Sequence, residues 1–134
     1  MLKLIPGLSG EGKTKSLIEL VNKASVEETG NVVCIERGNT LTYDIPYSVR
    51  LVQLDKTYTT DFLKGFITGM HLGNYDITHI FVDGIYKMLK GCSDHEVEAF
   101  FEWCNDYGEA ESIRFTMTAN EDAESASPTL RRFF

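Results

Sequence analysis

The order of apolar and polar segments predicts an α/β domain of three layers, with helices flanking a mainly parallel five-stranded sheet. Three observations carry this reading. Short apolar runs alternate with segments of helical period along the chain. The connections between those runs are long enough for parallel crossovers. The first run leads straight into Gly7-Leu8-Ser9-Gly10-Glu11-Gly12-Lys13-Thr14, a glycine-rich stretch set between a strand and a helix.

Leu2, Leu4 and Ile5 form the first strand, expected to lie inside the sheet. From Lys15 to about Ala24, the positions Leu17, Ile18, Leu20, Val21 and Ala24 place one apolar stripe on a helix. Val32 to Ile35 is the second strand and ends at Glu36; Thr40 to Tyr47 reads as a loop or short edge strand, and Val49 to Leu54 as the third strand. Thr59 caps a helix with Phe62, Leu63, Phe66, Ile67 and Met70 on its buried side. Thr78 to Val82 is a buried strand ending in Asp83 and lying near the first strand. Ser93 with Glu96 forms a capping box ahead of a helix buried through Val97, Phe100, Phe101 and Cys104. Ile113 to Thr118 is the last strand.

The chain reads as one domain over residues 1–134, whose closing segment, 121–134, is either a fraying end or an apolar plug for a groove on itself or a partner. Its hydrophobic fraction of 43% excludes wholesale disorder. A formal charge of −7 argues against nucleic-acid binding through a general positive field. No apolar run approaches the roughly 18 residues of a membrane span. Cys34, Cys92 and Cys104 form no C-x-x-C pair and read as buried apolar residues of a reducing compartment. The expected location is cytoplasmic. His71, His79 and His95 lack metal-ligand spacing and read as surface or strand residues.

Gly7 to Thr14 fits the pattern G-x-x-x-x-G-K-[ST], the Walker A phosphate-binding loop. Its glycines let backbone N–H groups turn toward an anion, and the following helix start favours negative charge. The nucleotide-binding set is therefore Gly7, Gly10, Glu11, Gly12, Lys13, Thr14 and Lys15. Lys13 reaches phosphate, while Thr14 and Asp83 are the expected Mg²⁺ ligands. No acid follows Asp83 until Asp94, so Glu36 is the best substitute for a general base; a solvated strand-end charge is its equal alternative. Lys13, Asp83 and Glu36 are thus the catalytic candidates. Thr118 or Asn120 at the last strand end, and Arg37, Arg131 or Arg132, are secondary phosphate-facing candidates.

The order of these motifs resembles the P-loop NTPase superfamily and, within it, the recombinase-like and thymidine-kinase-like branch. The resemblance covers nearly the whole chain, from the Gly7–Thr14 loop to the strand ending at Thr118. In thymidine kinases a glutamate and then aromatic residues follow the magnesium aspartate; here Asp83-Gly84-Ile85-Tyr86 keeps an aromatic and lacks the acid. The zinc-bearing lid of those kinases has no counterpart either. The resemblance implies a binder of ATP or GTP with Mg²⁺, with slow or partner-stimulated hydrolysis. Two alternatives stay open. One is a small-molecule kinase with an acceptor pocket around Arg37 to Tyr47 and Tyr58. The other is a non-catalytic interaction module, acting in a homo-oligomer or on a protein partner.

Overall fold

The computed structural model describes all 134 residues. Its elements, in chain order, are β1 (Leu2–Gly7), α1 (Lys13–Glu27), β2 (Asn31–Arg37), β3 (Arg50–Leu54), α2 (Thr60–Gly73), β4 (Ile77–Asp83), α3 (Ile85–Met88), α4 (Asp94–Glu111), β5 (Arg114–Asn120) and α5 (Pro128–Arg131). The five strands form one sheet in the order β1-β5-β4-β2-β3, and every neighbouring pair is parallel. The α/β class with helices on both faces is as the sequence predicts, a three-layer topology of the P-loop-NTPase kind.

Alternation along the strands divides the core between the two faces. Val33 and Ile35 of β2, with Ile80 and Val82 of β4, point to the face covered by α2, α3 and α4. Val32, Cys34 and Phe81 point to the other face, under Leu17, Val21 and Ala24 of α1. Both faces of β2 and β4 are therefore dry, which explains their unbroken apolar runs. The larger core adds Phe100, Phe101 and Cys104 of α4, with Phe115 and Met117 of β5. Fully burying one such side chain stabilises the fold by roughly 1.5–3 kcal/mol.

Local chemistry sets the helix starts. The Thr59 hydroxyl accepts from the Phe62 amide at 3.0 Å, and Ser93 and Glu96 form a reciprocal capping box. In α2 the buried stripe is Leu63, Ile67 and His71, whereas Phe62 is 47% exposed and stacks on Tyr58 at 4.6 Å. His71 is thus neither a surface nor a strand residue; its Nδ1 lies 2.9 Å from the Tyr107 hydroxyl.

The strand that feeds the glycine-rich loop is not internal. β5 inserts between β1 and β4, leaving β1 at the sheet edge. That edge is nevertheless shielded. The Leu2 amide donates to Asn105 Oδ1, the Leu4 amide donates to the Phe133 carbonyl, and Pro6 has no amide hydrogen to leave open. Ala126, Leu130 and Phe133 of the closing segment are buried in the larger core, so this stretch packs on its own domain. The connection leaving β1 runs on the α1 face and that leaving β4 on the α2–α4 face, which opens a crevice at the carboxyl ends of the strands.

Candidate functional site

A cleft of about 760 Å³ occupies this crevice. The glycine-rich loop supplies Ser9, Gly10, Gly12, Lys13 and Thr14; β4 and the turn after it supply Asp83 and Gly84; β5 supplies Thr118 and Asn120. Arg37, Tyr86, Lys87 and Lys90 complete the wall. The structure therefore brings Gly10, Gly12, Lys13, Thr14 and Asp83 together, with Thr118, Asn120 and Arg37 beside them. Gly7, Glu11, Lys15 and Glu36 do not line it, although Gly7, Glu11 and Lys15 belong to the same loop and helix start.

The loop is shaped by backbone that only glycine adopts readily. Gly7, Gly10 and Gly12 have φ of 145°, 85° and 81°. Gly7 is also crowded, since a Cβ there would lie 3.1 Å from Lys13 Cγ. Lys13 folds back so that Nζ donates to the Leu8 carbonyl at 3.0 Å, and the Glu11 carboxylate turns inward to accept the Leu8 amide.

The start of α1 differs from those of α2 and α4. Its N-cap is Gly12, which offers no side-chain acceptor, and no acidic residue lies in its first turn. Lys13 and Lys15 stand there instead, at the positive end of the helix dipole. The amides of Gly10, Gly12, Lys13, Thr14 and Lys15 have no protein acceptor. This end of the helix concentrates donors and positive charge without an internal partner for either.

Across from it, Thr14 Oγ1 lies 3.2 and 3.3 Å from the two Asp83 oxygens. The buried Thr118 hydroxyl donates to Asp83 Oδ1 at 2.8 Å and accepts the Gly84 amide at 3.0 Å. Asp83 is thereby fixed at the strand end with its carboxylate facing Thr14. Gly84 follows with φ 84°, ψ 37°, and an added Cβ would sit 3.3 Å from that of Arg37. A glutamate directly after Asp83 is incompatible with this turn without strain.

Glu36 is the register partner of Asp83 on the neighbouring strand, but its carboxylate points elsewhere. It is 1% exposed and accepts from the Thr40 amide and hydroxyl, the Leu41 amide and Gln53 Nε2. Burial alone would raise its pKa; the hydrogen bonds from Thr40, Gln53 and Leu41 outweigh it and hold the pKa below the usual value. Further back in β2, burial, with help from Asp83 and Glu36, pushes the Cys34 thiol up to about 12, so it is inert.

Of the segment read as an acceptor pocket, only Arg37 reaches the cleft. Leu41 and Ile45 are buried in the smaller core, Tyr43 and Tyr47 stand fully exposed, and the Tyr58 amide donates to the Met88 carbonyl. Arg131 donates to the Glu124 carbonyl and Arg132 lies over the Phe133 ring, both on the closing segment. Sequence reading missed Lys87 and Lys90. The only available signal was their three-residue spacing in the short segment following Asp83.

Fold and cleft together define a three-layer α/β domain of P-loop-NTPase-like topology with a polar, cation-rich cleft at its strand ends. No protein-family model matches the chain, and no curated protein is significantly similar to it.

Proposed function

We propose that this protein binds a nucleoside triphosphate, ATP or GTP, together with Mg²⁺ in the cleft at the start of α1. The single observation that carries the reading is the uncapped start of α1, with its unpaired amides and two first-turn lysines meeting the glycine-rich loop. An anion complements both the free donors and the positive charge there, and a chain of phosphates suits the length of the loop. Lys13 would leave the Leu8 carbonyl to reach the outer phosphates.

Thr14 and Asp83 fit a magnesium ion, which prefers a few oxygen ligands and takes the remainder from phosphate and water. The chain has no cluster of three or more His, Cys, Asp or Glu side chains suited to a metal. The ion would therefore arrive with the nucleotide, neutralising phosphate charge. Thr118 would keep the Asp83 carboxylate oriented.

Glu36 is assigned to holding the 38–42 loop rather than to catalysis, because both its oxygens are engaged. With glycine after Asp83, the cleft has no second carboxylate to activate water, so hydrolysis by the isolated chain should be slow. Motif order supports a place in the recombinase-like and thymidine-kinase-like branch. The free cysteines support a reducing, cytoplasmic setting. Calorimetry with ATP, GTP and ADP, with and without Mg²⁺, tests the proposal. Mg²⁺-dependent binding at millimolar or better affinity supports it, and no binding of any nucleotide refutes it.

A further inference from the structure

The wall facing the loop concentrates positive charge that the loop itself does not supply. The chain has 20 acidic and 13 basic residues, yet four of those basic residues, Lys13, Arg37, Lys87 and Lys90, converge on this cleft against one carboxylate, Asp83. None of the four is in an ion pair; the one ion pair in the chain joins Arg114 to Glu28. Lys13 belongs to the loop. Arg37 and Lys87 instead bracket Gly84, since a Cβ at Gly84 would lie 3.3 Å from Arg37 Cβ and 3.9 Å from Lys87 Cδ. The Arg37 Nε donates to the Lys56 carbonyl, which fixes its stem while leaving the other guanidinium nitrogens free. Lys87 and Lys90 are exposed three residues apart, while Ile85, Met88 and Leu89 between them anchor this turn in the core.

We propose that Arg37, Lys87 and Lys90 form a second anion subsite, which holds a phosphate-bearing small molecule beside the bound nucleotide. The inference rests on the nucleotide reading above and names the class of second ligand. Arg37 and Lys87 flank the position after Asp83 and Lys90 lies on the same wall, so the geometry favours holding an anion over activating water. Tyr86 and Lys90 also line a neighbouring cavity of about 410 Å³ whose wall includes Asp94, Glu98 and Glu121, which suits an uncharged or cationic body of such a molecule rather than a further anion. A nucleic-acid chain is disfavoured, because the net charge of −7 repels a polyanion outside the cleft.

The test uses the full chain saturated with Mg²⁺ and a non-hydrolysable ATP analogue, titrated with inorganic phosphate and followed by amide NMR. Saturable shifts at residues 84–91 are expected. In Lys87→Ala/Lys90→Ala the phosphate affinity should fall at least about tenfold, with analogue affinity within about twofold and an unchanged fold by the same spectra. The Lys87→Arg/Lys90→Arg form should retain phosphate binding. Absence of phosphate binding to the loaded protein, or equal binding by the alanine variant, overturns the subsite. So does a tenfold loss of analogue affinity in that variant, which would assign the lysines to the nucleotide itself, and so does displacement of phosphate by a single-stranded oligonucleotide. Should the analogue fail to bind while phosphate still shifts residues 84–91, the nucleotide reading fails and the anion subsite stands.

Discussion

Asp83 and Glu36 end neighbouring strands at paired register, carry the same charge and lie one strand apart, yet their surroundings have opposite character. Glu36 is sealed at 1% exposure, and its oxygens are taken by the Thr40, Leu41 and Gln53 donors of the following loop and strand. Asp83 is half-buried, meets only two threonine hydroxyls and opens on the cleft. The difference teaches that a shared place at the strand ends does not give two carboxylates the same residual coordinating capacity. A carboxylate whose lone pairs are filled by its own chain has little left for a ligand.

The comparison breaks most visibly at Glu36. Glu36→Ala would strand several buried donors and cost about 2–4 kcal/mol of stability in denaturant titrations, with nucleotide affinity changed less than about threefold. Its pKa is depressed, so its ionised form stabilises the fold above about pH 4.5, and that contribution is lost as pH falls through the lower folded value. A Glu36→Gln form should lack this acid slope. A large fall in affinity with intact stability would reverse the assignment.

The other end of β4 supplies a control. His79 is buried, its Nε2 lies 2.8 Å from Thr116 Oγ1, its Nδ1 has no partner, and burial lowers its pKa from 6.5 to about 4. Between those values the unfolded chain takes up a proton that the folded chain refuses, so stability falls with decreasing pH by about 3 kcal/mol at most. Thermal melts across this window should show the slope, and His79→Leu should remove it.

Smaller effects sharpen the role of Asp83. Gly84→Glu, which places an acid directly after Asp83, should cost about 1–2 kcal/mol because φ is 84° there, and should not raise the hydrolysis rate. Asp83→Asn should leave stability within about 1 kcal/mol and lower the affinity for the Mg²⁺-loaded nucleotide about tenfold, with little effect on metal-free binding. Equal losses with and without Mg²⁺ would remove Asp83 from the metal side.

Much of this was legible in the chain because periodicity reports burial directly. All five strands and the three long helices follow from it, as do the caps at Thr59 and Ser93. Strand order is not encoded in period, which is why the edge position of β1 escaped notice. Phe62 reads as core by spacing, but a ring stacked on Tyr58 at the first turn of α2 satisfies the same pattern from outside. The four-residue helices α3 and α5 are too short to show a period, and with α3 the lysines of the far wall stayed hidden. The engagement of Glu36 depends on where the 38–42 loop folds back, which no local pattern states.

The most direct measurement is calorimetric titration of Mg²⁺-ATP and Mg²⁺-GTP into the native chain and into Lys13→Ala. Lys13 is tied only to the Leu8 carbonyl, so its removal should spare the fold. If the uncapped start of α1 is a phosphate site, the native chain binds at millimolar affinity or tighter and the variant about 10–100-fold more weakly, the worth of one charge-assisted contact. Equal affinities in a folded variant, or no binding by the native chain, would contradict it.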